Sequence, residues 1–252
     1  MKTSNYSPYL LSSALAFLLA AGAAHAQQDY LSEEDIYGEE IANGENISDP
    51  LEPVNRVTFK VNDFIYTEVM DPIASVYTTV TPEPVQESAG NFFDNLAYPV
   101  RLAGNLLQAR WNGAWVETGR FAINTTAGIG GLFRPADRIE GFEPIPSEDI
   151  GQAFGAWGIG TGPYLVLPLL GPSNVRDLGG YVADRAVQPH KEPFSLIDDW
   201  NWEWRTALTA TEVVVESPGF LDRYRRMKEG AIDPYGSLKN GYIQFREAAI
   251  EE

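Results

Sequence analysis

The 252-residue chain carries a formal net charge of −17 and contains no cysteine. A disulfide framework and a thiolate metal site are therefore excluded, and nucleic acid, whose binding rests on neutralised phosphates, is an unsuitable partner. Docking to anionic lipid through a basic patch is disfavoured on the same ground.

Lys2 is the only charged residue before Asp29, and an apolar core runs from Leu10 to Ala24. Ala24-His25-Ala26 then supplies a small-x-small cleavage signature, so residues 1–26 read as a secretion signal. A retained anchor is the alternative, disfavoured by the polar residues that follow. Gln27 to Ser48 holds seven carboxylates, no Lys or Arg, and no periodic apolar face. It reads as an acidic, disordered arm. Residues 49–252 suit one domain, large enough to build a core without disulfides.

The predicted elements of that domain are mostly helical. Asp49-Pro50 is a helix start, with an acid at the cap and proline at the first position. Val54, Val57, Val61, Phe64, Ile65 and Val69 follow at helical spacing. Thr81-Pro82 opens a second helix through Val85, Ala89, Phe92, Phe93 and Leu96. A third carries Trp111, Trp115 and Ile123, with a row of small residues at Ala114, Thr118 and Ala122. Such rows serve close helix approach in lipid and tight packing in water alike.

Phe154 to Pro172 is the most distinctive segment. Glycine recurs at Gly155, Gly158, Gly160 and Gly162, and the apolar run Leu165 to Leu170 is broken by Pro168. Glycine opens positive φ, and proline fixes φ and removes a donor. The run is too short to span a bilayer, which takes about 20 apolar residues. It packs inside the protein or meets lipid or another apolar ligand. Tyr164 to Leu167 reads as a strand or an extended loop. Ser173 is expected to cap a helix through Asp184, and Asp199 one carrying Trp200, Trp204, Leu208, Thr211 and Val215. The last helix shows a stripe of Tyr235, Leu238, Tyr242, Phe245 and Ala249.

Catalytic constellations are missing from this pattern. After cleavage His190 is the only histidine, which excludes a two-histidine metal motif such as HExxH. No G-x-S-x-G elbow accompanies it, and its Gln188-to-Pro193 setting reads as a surface loop. Gly158-x-Gly160-x-Gly162 lacks dinucleotide-binding spacing, and no phosphate loop is present. The pairs Asp198-Asp199 and Glu33-Glu34 carry no weight in so acidic a chain. Six tryptophans suit either an aromatic core or a membrane interface.

Several segments in order resemble one family. Asp49-Pro50-Leu51-Glu52 with Asn55-Arg56 is similar to the DPLE-x-x-NR opening of the MlaA/VacJ outer-membrane phospholipid-transport proteins. The similarity continues through Gly90 to Leu96, Asn105 to Gln108 and Arg120 to Leu132. It is strongest over Phe154-Gly155, Gly158-x-Gly160-x-Gly162-Pro163-Tyr164-x-x-Leu167-Pro168 and Arg176-Asp177, and closes at Asp233-Pro234-Tyr235.

The resemblance implies a single irregular helical domain, ring- or doughnut-like around a central channel, lying mainly in the inner leaflet of the outer membrane. It implies a retrograde transport component that removes phospholipid from the outer leaflet and maintains lipid asymmetry, with no reaction catalysed. Implied partners are phospholipid, a trimeric outer-membrane porin and a periplasmic carrier of the MlaC type; no cofactor or metal is implied. The loop containing Gly158, Gly160, Gly162, Pro163 and Tyr164 is implied to form a hairpin beside the channel that affects its gating. Asn55, Arg56, Asn124, Arg176 and Asp177 are candidate polar groups for the headgroup, or buried structural hydrogen-bonders. One departure matters: the family's best-known members are lipoproteins, and this sequence has no cysteine to acylate. Retention would then rest on apolar contact, where ~200 Å² is worth about 5 kcal/mol. The alternatives are a soluble periplasmic lipid-binding protein, a lipid esterase using His190 or a carboxylate pair, and a porin partner without a lipid path.

Overall fold

In the computed structural model, which describes residues 49–191, 196–197 and 199–251, helices account for most of the chain. The signal segment, the acidic arm and Asp198 lie outside the described residues. In chain order the helices are α1 (Glu52–Ile65), a π-helical turn (Tyr66–Met70), α2 (Asp71–Val80), α3 (Glu83–Leu96), α4 (Tyr98–Leu107) and α5 (Trp111–Thr126). A 3-10 turn (Pro135–Arg138) and the short α6 (Ile150–Ala156) lead to strands β1 (Tyr164–Leu167) and β2 (Gly171–Asn174). Then come α7 (Val175–Val187), the long α8 (Trp202–Lys228) and α9 (Pro234–Glu251). The mostly helical single domain expected from the sequence is the architecture found.

The two strands form the only sheet among the described residues, an antiparallel hairpin pairing Tyr164 with Asn174 and Leu167 with Gly171. Its inner face wedges between α1 and α9, where Tyr164, Val166 and Tyr235 pack with Phe59, Tyr242 and Ile243. A second apolar cluster joins the π turn and α2 to α8 and α9 through Tyr66, Ala74, Leu221, Tyr224 and Leu238. Tyr66 meets the Phe220 and Tyr224 rings edge-on, with centroids 4.9 and 5.1 Å away. Such aromatic pairs add roughly 0.5–1.5 kcal/mol each beyond area burial.

Several expected boundaries are corrected. The first helix begins at Glu52, not at Asp49-Pro50. The Asp49 carboxylate instead accepts from the Leu51 amide at 3.2 Å, from Asn55 Nδ2 at 3.0 Å and from the Tyr235 hydroxyl. Ser173 belongs to β2; Asn174 caps α7, its side chain accepting from the Asp177 amide at 2.8 Å. Asp199 does not cap α8, because Asn201, in extended backbone, immediately precedes the first helical residue. The small-residue row on α5 is split between a buried Ala114 and an exposed Ala122, so it does not follow one packed face.

α8 runs through Pro218, which cannot donate to the Val214 carbonyl. Ser217 Oγ donates to that carbonyl instead, at 2.9 Å, so the helix continues. α6 is a helix absent from the elements expected above. Its start is a reciprocal cap: Gln152 N donates to Asp149 Oδ1 and Asp149 N donates to Gln152 Oε1, both at 2.6 Å.

Candidate functional site

The apolar stripe read from the sequence faces outward. Val54, Val57, Val61 and Phe64 on α1 are 49–63% exposed, and the stripe continues through Val69, Ile73, Val76 and Val80. The opposite, inward face of the same helical stretch presents Asn55, Asn62 and Tyr66, each 2% exposed. A helix on a water-soluble domain buries its apolar face and shows its polar one; here an aliphatic stripe is left outside, while the buried face mixes Asn55 and Asn62 with Phe59, Tyr66 and Ala74. Further exposed aromatic and aliphatic side chains include Trp111, Trp115, Phe133, Trp157, Ile159 and Trp204. No helix among the described residues is long and apolar enough to cross a membrane.

The inward asparagines hold the hairpin. Asn55 Nδ2 donates to the Tyr164 carbonyl at 3.0 Å, and its Oδ1 accepts from the Val166 amide at 2.9 Å. One heptad on, Asn62 Nδ2 donates to the Leu167 carbonyl and Oδ1 accepts from the Leu169 amide, both at 2.8 Å. The Tyr66 hydroxyl then donates to the Leu169 carbonyl at 2.8 Å. Leu169 itself lies in the left-handed region with φ +67°. For a residue with a Cβ that conformation costs about 1–2 kcal/mol. Asn62 and Tyr66 grip its two peptide groups and keep it there.

The distinctive glycine segment divides into two parts. Residues 157–163 are exposed throughout, whereas the hairpin has Tyr164, Val166 and Leu169 buried. Gly158 has φ +80°. Its amide donates to the Gly155 carbonyl at 2.8 Å and that of Ile159 to Phe154 at 3.0 Å, the paired bonds of a glycine helix stop. Gly158 thus terminates α6. Gly160 lies outside the left-handed region, and a Cβ there would meet nothing within 4 Å, so it is neither a forced turn nor a close contact. Gly162 has φ +67°, and an added Cβ would sit 3.1 Å from Val175. Pro163 is exposed and leads into the buried Tyr164. Trp157 is tethered to α4, its Nε1 donating to the Leu107 carbonyl at 2.9 Å.

The other polar candidates occupy protein-facing positions. Arg176 and Asp177 are buried at the start of α7. Arg246 of α9 donates to Asp177 at 2.9 and 3.1 Å and to Asp149 at 2.6 and 3.1 Å. Arg176 Nε donates to Asp177 Oδ1 at 2.8 Å, and the Tyr242 hydroxyl to Oδ2 at 2.5 Å. Burial pushes the Asp177 carboxyl up, yet Arg246, Arg176 and Tyr242 together hold it below the ordinary carboxylate value. Asn124 Oδ1 accepts from the Ala136 amide at 3.1 Å, a structural duty. Arg56 is the exception: its side chain is 41% exposed, paired with Glu52 and with both oxygens of Asp233, over the Tyr235 ring.

His190 is not on the surface. It is buried, with Nε2 3.2 Å from Glu212 Oε2, while Lys191 donates to Glu212 Oε1 at 2.9 Å. His190 and Lys191 pack onto α8, satisfying a buried glutamate. Burial pushes the Glu212 carboxyl up, but His190 and Lys191 hold it below its ordinary value. Among the described residues no group of three or more His, Cys, Asp or Glu could hold a metal ion.

The model of the family described as MlaA lipoprotein matches residues 47–249. The chain belongs to this family. It is 28% identical to the intermembrane phospholipid transport system lipoprotein MlaA of Haemophilus influenzae, over 81% of this chain and 80% of that protein. The protein of the same name in Escherichia coli is also 28% identical, over 78% and 76% of the two chains. An uncharacterized protein of Rickettsia felis is 28% identical over 94% and 93%. A solved structure reported as the structural basis for maintenance of bacterial outer membrane lipid asymmetry superposes with a TM-score of 0.62 at 26% identity. It covers 81% of this chain and 99% of its own. The MlaA relatives named above are lipoproteins by name, whereas these 252 residues include no cysteine.

Proposed function

We propose that the protein works in phospholipid transport, as the outer-membrane component that removes phospholipid from the outer leaflet and maintains lipid asymmetry. The carrying observation is the outward apolar stripe along α1, the π turn and α2. Shielding roughly 50 Å² on each of its eight outward aliphatic and aromatic residues is worth about 10 kcal/mol at ~25 cal/mol per Å². That is of the order of a domain's whole stability. A freely soluble carrier would turn this stripe inward. A helix lying in one leaflet gains from it without crossing the bilayer, since its backbone is satisfied internally.

In this reading the helices form a ring around a central lipid path, and lipid passes to a periplasmic carrier of the MlaC type. A trimeric porin is the membrane partner. The exposed loop with Gly158, Gly160, Gly162 and Pro163, anchored by Tyr164, borders the path. Arg56 meets the headgroup, while Asn55, Arg176 and Asp177 hold the hairpin and α7 in place. No reaction is catalysed. The outward stripe takes over the retention that acylation gives a lipoprotein.

Extraction in mild detergent tests the reading. The purified protein carries phospholipid and co-purifies with a porin. Release of the protein by a carbonate wash, free of lipid, contradicts it in favour of a soluble binder.

A further inference from the structure

We propose that residues 188–191 form a pH-sensitive latch on α8, held shut by one proton on Glu216 and loosened as that proton is lost. The proposal is independent of the transport reading.

The latch closes on one carboxylate. His190 and Lys191, neighbours in the chain that leaves α7, reach Glu212 together. His190 Nε2 lies 3.2 Å from Oε2, and Lys191 Nζ donates to Oε1 at 2.9 Å. All three side chains are buried, and Lys191 is only 4% exposed. Lysine is almost never enclosed so fully unless it is paired, because a buried ammonium without a partner is costly. The backbone ties the same segment together. The Lys191 amide donates to the Gln188 carbonyl at 3.3 Å, and the Leu196 amide to the Pro189 carbonyl at 2.7 Å. The exposed Leu196 is therefore held through the latch.

Glu216 stands one helical turn beyond Glu212, on the same side of α8. Its Oε2 is buried and has no hydrogen-bond partner among the described residues. Ionised, that oxygen would be left unsatisfied with the Glu212 charge beside it. Lys191 attracts both carboxylates but is hydrogen-bonded to Glu212. Two further charges face Glu216: Asp94 of α3 opposes its ionisation, and Arg223 of α8 favours it. Burial first, and then Glu212, push the Glu216 carboxyl up to about 8. Near neutral pH the enclosed lysine thus faces one charged carboxylate rather than two.

The direction of the pH effect follows. Opening lets water reach Glu216, which then takes its ordinary value of 4.5. Closing therefore takes up one proton in the window between 4.5 and about 8. Across it, opening becomes about tenfold easier for each pH unit, and above it opening changes no further. A carboxamide at this position keeps the shape of the neutral acid and removes the dependence.

The test is amide hydrogen exchange of the full chain, purified in mild detergent, as wild type and as Glu216→Gln, in steps from roughly pH 6 to 9. The amides of Lys191 and Leu196 are read as the ratio of wild-type to variant rate at each pH. The ratio cancels the intrinsic pH dependence of exchange and the contribution of Asp184, which titrates in the same window. It should rise about tenfold per pH unit up to about pH 8 and then level off. Both amides should exchange faster than those of α9, as a local opening requires. A ratio that does not change with pH overturns the proposal. So does exchange at these amides no faster than in α9, because the segment then opens only when the whole domain unfolds. If Glu216→Gln does not fold, Glu216→Met, uncharged and of similar length, takes its place. Failure of both to fold also overturns the proposal, since an uncharged side chain at this position is the closed form.

Discussion

Gly158 and Gly160 separate two duties that the sequence presents as one. Gly158 ends α6 in the left-handed region, where a Cβ costs about 1–2 kcal/mol. Gly158→Val should therefore lower the unfolding temperature by several degrees, since about 1 kcal/mol shifts a domain of this size by roughly 2–4 °C. Gly160→Val should leave it unchanged, because neither φ nor space forbids the side chain. Thermal unfolding of both variants in one detergent checks the contrast; equal losses contradict it.

Asp184 offers a second test at the same scale. It accepts from the Ile150 amide at 3.0 Å, and burial, with Asp149 nearby, pushes its carboxyl up to about 8. The folded protein then holds a proton that the unfolded chain releases above about 3.8, so this group lowers stability progressively as pH rises from about 4 to 8. Asp184→Asn, which keeps the accepting oxygen, should raise the unfolding temperature relative to wild type at pH 8. The gain should shrink toward pH 5. A gain independent of pH contradicts the assignment.

His190 shows the limit of reading single residues. Its Pro-flanked context has the character of a surface loop, and nothing local indicates that Glu212, 22 positions later, requires it. The Asp149–Gln152 cap is different. Its D-x-x-Q spacing is a helix-start signal in the sequence itself, but the glycines that follow have low helix propensity and mask the short helix it starts.

At the scale of elements, periodicity reveals which residues share a face but not which way the face points. The spacing of Val54, Val57, Val61 and Phe64 is plain. Their exposure follows from the opposite face, where Asn55 and Asn62 are committed to the hairpin. β1 is legible from its β-prone residues. β2, Gly171–Asn174, is not, because a GPSN segment has low strand propensity and is extended only through pairing with β1.

The stripe gives its own prediction. Val57→Asp combined with Val61→Asp adds charge to an outward face without touching the buried side, so the purified protein should remain folded by circular dichroism. Its share in the outer-membrane fraction should fall, and a carbonate wash should release it. Unchanged membrane retention would mean that the outward stripe does not meet lipid.

For the whole molecule, the ordered motifs from Asp49 to Tyr235 make the family legible, and the match over residues 47–249 bears that out. The missing cysteine bears on how the protein is retained. Intact mass should show a mature chain beginning at Gln27 with no lipid attached; a mass retaining residues 1–26 would contradict secretion with cleavage.

Outer-leaflet phospholipid, measured in cells that lack the protein and in cells with it restored, tests transport most directly. The account predicts that it rises on loss and returns on restoration; a level that is the same in both strains would contradict it.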